Sequence, residues 1–254
     1  MVFQELSLNG KTALVTGGGS GIGGGIARGL AEAGADIAVV YNRHAPTEMQ
    51  QYVESLGRKF LAIQADVSDT GCLAGLVRTT VETFGHLDIL VNCAGVCLRG
   101  PVLEHTEEMW DKTIQINEKT VYILSQLAAK QFIAQGTGGK IINIASMLSY
   151  LGGFNASAYA ASKHAVMGIT RALASEWGSL GINVNAIAPG WIKTNLSAPL
   201  VADPNRYSSV CARIPMGDWG EPDVFKGVAV LLASEAGRYI NGATIPVDGG
   251  YLVK

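Results

Sequence analysis

Short apolar segments recur along the chain, and stretches with helical periodicity separate them. The apolar segments are rich in Val and Ile and are apolar at successive positions, as expected of strands buried on both faces of a parallel sheet. The predicted strands are Thr12–Thr16, Asp36–Tyr41, Lys59–Gln64, Ile89–Asn92, Lys140–Ala145, Asn183–Ala188 and Thr244–Val247. The predicted helices are Gly23–Ala33, Glu48–Leu56, Leu73–Phe84, Met109–Gln135, Ala158–Leu180 and Asp223–Ala233. This alternation predicts a Rossmann-type α/β fold, a doubly wound three-layer α/β/α structure around a seven-stranded parallel sheet.

Composition supports one folded domain over residues 1–254. Apolar residues make up 48% of the chain and there are only 8 prolines, which excludes a disordered or collagen-like protein. No Pro/Ser-rich linker, internal repeat or shift in composition divides the sequence. Glycine is the exception, with 32 of 254 residues, against a usual share of about 7%.

Charge and hydropathy limit the kinds of molecule that the protein is expected to bind. The 19 basic and 21 acidic residues give a net charge of -2 without a run of like charge, which argues against nucleic acid. No apolar stretch approaches the roughly 20 residues that span a bilayer, and the first residues do not resemble a secretion signal, so we expect a cytoplasmic protein without a membrane partner. The four cysteines then represent free thiols, and the scattered histidines offer no metal site.

Seven glycines lie between Gly17 and Gly25, directly after the first predicted strand and at the start of the first helix. Glycine lets the backbone approach a pyrophosphate, and the free N–H groups of a helix N-terminus attract its charge. The position therefore predicts a dinucleotide site. The pattern alone leaves two registers open, because Gly19, Gly21 and Gly24 also fit G-x-G-x-x-G.

The end of the second strand bears on the choice of cofactor. An acidic residue there would bind the adenosine ribose hydroxyls of NAD, whereas this strand ends in Tyr41, Asn42 and Arg43. Arg43 could pair with a 2′-phosphate, so the sequence favours NADP(H) over NAD(H). Ser20 argues against NADP(H), because a basic residue often occupies that position of the turn in NADP-dependent proteins.

Further motifs follow in a fixed order: T-G-x-x-x-G-x-G at 16–23, Asp66, N-x-A-G at 92–95, Asn117, Ser146, Tyr159-x-x-x-Lys163 and Pro189-Gly190. With them the chain resembles the short-chain dehydrogenase/reductase family over essentially its whole length. The resemblance implies an NAD(P)-dependent oxidoreductase acting on CH–OH groups and selects the register Gly17, Gly21, Gly23. Cys93 departs from the second asparagine usual at its position.

The spacing of Tyr159 and Lys163 has a chemical meaning of its own. Residues four apart share one face of a helix, and a free phenol with a pKa of about 10 is a poor acid or base at neutral pH. A lysine ammonium nearby would lower that pKa, and Ser146 could hydrogen-bond the substrate oxygen. Tyr159 would then protonate a carbonyl oxygen while the nicotinamide delivers hydride.

The resemblance also implies roles for individual residues. Lys163 would bind the nicotinamide ribose, and Asn117 would anchor a water molecule in a proton relay. The implied cofactor contacts are Gly17, Gly19, Ser20, Gly21, Ile22, Gly23, Asn42, Arg43, Asp66, Val67, Asn92, Ala94, Gly95, Tyr159, Lys163, Pro189, Gly190, Ile192 and Thr194.

The sequence says less about the substrate and the oligomeric state than about the fold and the reaction. We expect a substrate loop at Asn195–Met216, in which Pro199, Pro204 and Pro215 break helices, and a pocket lined by Met147, Leu148, Leu151, Trp191 and Tyr207. Within the family, several stretches are most similar to the 2-deoxy-D-gluconate 3-dehydrogenase group, which implies a sugar acid or small polar ketone.

Three alternatives remain open at this stage. A 3-oxoacyl-carrier-protein reductase or a secondary-metabolite ketoreductase would share most of these residues, and the basic residues Arg99, Lys193, Arg206 and Arg213 are too dispersed in sequence to decide. A non-catalytic nucleotide sensor would be expected to lack Tyr159 or Lys163. The long central helices and Thr244–Lys254 resemble subunit contacts of the family, which implies a homotetramer, with a dimer second.

Overall fold

The computed structural model describes residues 4–254 and contains a seven-stranded, all-parallel sheet. Its strands are β1 (Thr12–Thr16), β2 (Asp36–Tyr41), β3 (Phe60–Gln64), β4 (Ile89–Asn92), β5 (Gly139–Ile144), β6 (Ile182–Pro189) and β7 (Thr244–Val247). They lie in the order β3-β2-β1-β4-β5-β6-β7. The predicted fold is confirmed, and each predicted strand agrees with the observed one to within a residue at either end.

Helices cover both faces of this sheet. They are α1 (Gly21–Glu32), α2 (Thr47–Ser55), α3 (Leu73–Phe84), α4 (Glu107–Ile114), α5 (Thr120–Gln135), α6 (Ser157–Trp177), α7 (Ala198–Val201), α8 (Pro204–Cys211) and α9 (Lys226–Ala233). One apolar layer joins α1, α2 and α9 to the sheet, and another joins α3, α5 and α6 to its opposite face. No helix within residues 4–254 is long and apolar enough to cross a membrane.

The helix predicted over Met109–Gln135 is interrupted. A π-helical turn, Gln115–Lys119, separates α4 from α5 and carries the buried Asn117. An inserted residue of this kind is frequent at functional sites, because it redirects side chains without ending the helix.

The prediction that Pro199 and Pro204 break helices is wrong. Both lie in the first turn of a short helix, α7 or α8. Proline suits that turn, since its missing N–H would have no partner inside the helix and its fixed φ is helical. The side chain of Asp203 caps α8 by accepting from the backbone N–H groups of Asn205 and Arg206 at 3.0 and 3.2 Å.

The strand order reverses direction between β1 and β4. Connections after β1 run outward to β2 and β3, whereas those after β4 run through β5 and β6 to β7. A crevice opens at the carboxyl ends of the strands at such a switch point, where ligands of doubly wound sheets bind. The predicted site residues follow these carboxyl ends.

Candidate active site

The glycine turn leaves β1 and enters α1 in a conformation that requires glycine. Gly17 and Gly21 have φ of +65° and +53°, and a Cβ on Gly23 would lie 2.4 Å from the carbonyl oxygen of Gly17. Ser20 precedes the helix but its side chain caps no backbone N–H. The first-turn N–H groups of α1 thus face the crevice without a side-chain cap, an arrangement suited to a pyrophosphate.

A cavity of about 380 Å³ extends from this turn along the carboxyl edge of the sheet. The sequence-predicted residues that line it are Gly17, Ser20, Gly21, Ile22, Gly23, Asn42, Asp66, Val67, Ala94, Gly95, Tyr159, Lys163 and Thr194. Asp66 accepts hydrogen bonds from the backbone N–H and the hydroxyl of Ser68 at 2.9 and 2.7 Å, which lower the pKa of its carboxyl. The lining, which runs from the glycine turn past Asn42 and Asp66 to Tyr159 and Lys163, fits an extended dinucleotide.

Six of the predicted cofactor residues lie outside this lining, namely Gly19, Arg43, Asn92, Pro189, Gly190 and Ile192. Arg43 is exposed just beyond Asn42, and its side chain makes no hydrogen bond or ion pair to any residue of 4–254. Asn92 is instead buried under the edge, where its amide donates to Ser125 at 3.0 Å and Asn143 at 2.8 Å. It therefore supports the wall and does not form it.

Tyr159 and Lys163 lie one turn apart on α6, as predicted. The Lys163 ammonium is 5.6 Å from the centre of the Tyr159 ring and donates to the Ile144 carbonyl oxygen at 2.7 Å. Burial raises the pKa of Tyr159 to about 12, with Ser146 acting in the opposite direction, and burial lowers the pKa of Lys163 to about 8.

The prediction that Lys163 lowers the pKa of the phenol is therefore wrong for this geometry. The desolvation of both groups outweighs the attraction between them. At neutral pH the site presents a protonated phenol beside a largely protonated amine.

Ser146 and Asn117 form hydrogen bonds with the segments that surround Tyr159 and Lys163. Ser146 begins the short turn after β5, where its hydroxyl accepts from the Leu148 N–H at 3.1 Å. The Asn117 side chain bridges both backbone groups of Val96 at 2.9 Å and donates to Ser162 at 3.1 Å. Asn117 thus ties the segment after β4 to α6, and its proton-relay role stays a prediction.

A second cavity, of about 400 Å³, adjoins the first. Ile22, Tyr159, Thr194 and Leu196 line both cavities. The second also contains Ser146, together with Gly190 and Ile192 from the segment after β6. Tyr159 therefore lies where a cleft that fits a dinucleotide meets a second chamber.

Of the predicted pocket residues, Met147, Leu148, Leu151 and Trp191 line this chamber. Tyr207 does not, because it stacks parallel to Trp219 at 5.8 Å and its hydroxyl hydrogen-bonds Asp218. Arg99, Arg206 and Arg213, which are dispersed in sequence, line the same chamber, and no Asp or Glu is among its lining residues. Lys193 is paired outside it with Asp218 and Glu221.

Sequence reasoning missed Tyr251 as a residue of this site. It is buried beside Trp191, with ring centres 6.4 Å apart, and lines the chamber. A signal was present in Asp248-Gly249-Gly250, which follows the carboxyl end of β7. Both glycines have positive φ, so the chain turns back across the site after the last strand.

Comparison with known proteins agrees with this architecture. A family model described as enoyl-(acyl carrier protein) reductase matches residues 17–252. The 2-dehydro-3-deoxy-D-gluconate 5-dehydrogenase of Dickeya dadantii is 51% identical over 254 residues, covering all of both chains. A short-chain type dehydrogenase/reductase from Mycobacterium marinum superposes with a TM-score of 0.93 at 34% identity, covering 99% of each chain. A gluconate 5-dehydrogenase from Burkholderia cenocepacia in complex with NADP and tartrate gives 0.92 at 35% identity, covering 98% of each chain. The fold, the ordered motifs and these likenesses agree, and the chain belongs to the short-chain dehydrogenase/reductase family.

Proposed function

We propose that this protein is an NAD(P)(H)-dependent oxidoreductase that interconverts a ketone and a secondary alcohol on a sugar acid, with NADP(H) as its preferred cofactor. The observation that carries the proposal is Tyr159, which stands in the wall shared by the dinucleotide-shaped cleft and the arginine-lined chamber. A proton donor at that junction could reach the carbonyl oxygen of a substrate in the chamber, while the cofactor would occupy the cleft beside it.

The nicotinamide supplies the hydride when it is bound. The glycine turn and the N-terminus of α1 would hold the pyrophosphate, while Asp66 and Val67 would border the adenine. Lys163 would bind the nicotinamide ribose from α6. Gly190, Ile192 and Thr194, which border the substrate chamber, would border the nicotinamide.

The protein then handles the proton. Tyr159 is protonated at neutral pH because burial raises the pKa of its phenol to about 12, so it donates to the substrate oxygen during reduction. Ser146, in the same chamber, hydrogen-bonds that oxygen and orients it. Lys163 supplies positive charge next to the phenolate that remains. In the oxidative direction the phenolate of Tyr159 accepts the proton of the substrate hydroxyl.

Three arginines without a neighbouring carboxylate suit an anionic substrate. The Dickeya relative is named for a sugar acid and the Burkholderia structure holds the dicarboxylate tartrate. We therefore take a 3-deoxy-2-keto hexonate, oxidised at C5, as the leading substrate within the sugar acids.

A substrate panel tests this function. Purified protein is assayed by NADPH absorbance with 2-dehydro-3-deoxy-D-gluconate, D-gluconate, an acetoacetyl thioester and uncharged ketones. We expect the sugar acids to have kcat/KM at least tenfold above the others. Preference for the thioester would favour an acyl-carrier-protein reductase, and cofactor binding without turnover of any substrate would indicate a sensor.

Arg43 carries the cofactor preference. It follows the non-acidic end of β2 and is exposed next to Asn42, which lines the cleft, so that it could reach a 2′-phosphate. We expect Arg43→Ala to raise the KM for NADP(H) about tenfold or more, as for loss of a charge-assisted hydrogen bond, and to leave the KM for NAD(H) nearly unchanged. A wild-type preference for NADH would contradict this assignment.

We propose that the whole chain acts as one catalytic domain and assembles as a homotetramer. The site draws on segments from Gly17 to Tyr251 around a single sheet, and the exposed apolar side chains of Tyr122 and Ile133 on α5 provide a surface for pairing. The four free cysteines agree with a reducing cytoplasm.

A further inference from the structure

The three arginines of the substrate chamber differ in how firmly they are held. The guanidinium carbon of Arg213 lies 4.4 Å from the centre of the Tyr251 ring, which is a close cation–π contact. Arg99 and Arg206 have no such contact, and none of the three forms an ion pair with a residue of 4–254. Arg213 therefore presents a positioned cation whose charge is not neutralised by the protein.

The support beneath Arg213 is rigid. Tyr251 is 5% exposed and packs with Met147, Val210, Ile214 and Trp219 in a small apolar cluster. Its ring thus has little freedom, and it supports the exposed Arg213 side chain, whose guanidinium carbon lies above it. An arginine ordered in advance loses less conformational entropy when it binds a ligand.

The C-terminal segment holds the backbone on both sides of Arg213. The Lys254 ammonium donates to the Ala212 carbonyl oxygen at 2.7 Å, and the Met216 N–H donates to the Gly249 carbonyl oxygen at 3.1 Å. The only carboxylate in the turn before Tyr251 is that of Asp248, which accepts from the N–H groups of Gly250 and Leu252, both at 2.9 Å. Asp248 is thereby engaged with backbone.

We propose that Arg213, seated on Tyr251, binds the carboxylate of the substrate and makes the enzyme selective for acids over neutral sugars. This inference rests on the proposed sugar-acid function. A guanidinium held against an aromatic ring can offer two N–H groups to a carboxylate in a bidentate geometry. Arg99 and Arg206 add positive potential but lack an anchor that would orient them.

The test compares a charged substrate with its neutral counterpart. The probes are 2-dehydro-3-deoxy-D-gluconate and its C1 amide, which has nearly the same shape and no charge. We expect Arg213→Met to lower kcat/KM for the acid about tenfold to a hundredfold, the range for loss of a charge-assisted hydrogen bond, and to change it less than threefold for the amide. Arg78→Met, on the exposed surface of α3, is the matched control.

Variants at Tyr251 test the anchor. Tyr251→Phe keeps the ring and should retain selectivity for the acid, whereas Tyr251→Leu removes the ring and should raise the KM for the acid several-fold with little effect on the amide. Thermal unfolding of each variant shows whether the fold persists. Equal losses for acid and amide in Tyr251→Leu would mean that the ring only supports the pocket, which overturns its role as anchor.

Two results overturn the inference in distinguishable ways. If Arg213→Met discriminates between acid and amide as the wild type does, and Arg99→Met or Arg206→Met does not, then Arg213 is not the carboxylate-binding residue. The sugar-acid function would stand in that case. A wild-type enzyme that treats acid and amide alike would reject the sugar-acid function itself, and this inference with it.

Discussion

Tyr159 shows how a single residue depends on its surroundings. Its spacing from Lys163 is visible in the sequence, but the direction of its pKa is not, because desolvation depends on how much protein surrounds the phenol. The structure adds that burial, with a smaller contribution from the neighbouring thiol of Cys97, raises the pKa of the phenol to about 12. Tyr159 is thus a proton donor at rest.

Removal of the phenol hydroxyl should therefore abolish proton transfer and leave binding intact. We expect Tyr159→Phe to lower kcat at least about a hundredfold, the lower range for loss of a general acid, with the Kd for NADPH unchanged by fluorescence titration. Tyr239→Phe, at a fully exposed position, is the control. Near-normal turnover by Tyr159→Phe would reject the assignment.

The same pKa values predict the pH dependence of the chemical step. Oxidation requires the phenolate, whose fraction rises about tenfold for each pH unit below the pKa of Tyr159. The single-turnover rate of alcohol oxidation should therefore rise between pH 6 and 8. It should rise less steeply above pH 8, where Lys163 loses the charge that favours the phenolate.

The pH dependence of ketone reduction serves as the control for the pH dependence of alcohol oxidation. It requires the protonated phenol, which predominates until the pH approaches 12, so its single-turnover rate should change little from pH 6 to 8. Stopped-flow absorbance of NADPH measures both directions on one preparation. An oxidation rate that is flat from pH 6 to 8 would contradict the raised pKa.

At the scale of elements, periodicity located the strands and most helices because each buries a regular apolar face. It failed where the backbone departs from that regularity. The π turn at Asn117 has no periodic signal, since it inserts into a helix whose apolar pattern continues on both sides. Pro199 and Pro204 were misread because proline ends a helix from inside but begins one at its first turn.

The glycine turn provides a prediction at this scale. A Cβ on Gly23 would lie 2.4 Å from the Gly17 carbonyl oxygen and 2.9 Å from its carbon, both backbone atoms. Gly23→Ala must therefore displace the turn, which costs about 1–3 kcal/mol as for other overpacked sites. We expect a lower Tm and at least about tenfold weaker NADPH binding.

The neighbouring Gly24 is the matched control. On the same helix, its added Cβ would meet the Met49 side chain at 3.4 Å, an ordinary contact. Alanine is favoured over glycine inside a helix by about 0.5–1 kcal/mol, so Gly24→Ala should keep or raise the Tm. Equal losses in NADPH affinity for the two variants would mean that the turn does not require Gly23 in particular.

At the scale of the whole molecule, the sequence indicates the reaction more clearly than the substrate. The catalytic motifs are short and local, and parallel strands bring their carboxyl ends to one edge. The chamber instead combines Arg99, Arg206, Arg213 and Tyr251 from three distant segments. Their convergence depends on the path of the loops after β4, β6 and β7, which no periodicity describes.

Assembly is the property of the whole molecule that follows most directly from its surface. A groove between α5 and α6 is bordered by Tyr122 and Ile133, which are 47% and 51% exposed, and by Leu173 and Trp177. Exposed apolar surface of this kind is typical of an interface, and two-fold pairing of the same helices would cover it in both subunits.

We expect Ile133→Glu to convert a tetramer into dimers in sedimentation velocity. The control Leu56→Glu, placed after α2 on the opposite face of the sheet, should leave the tetramer intact. If Ile133→Glu remains a tetramer, this groove is not a subunit contact. If the wild-type protein is a monomer, the tetramer itself is excluded, and these side chains are exposed in solution.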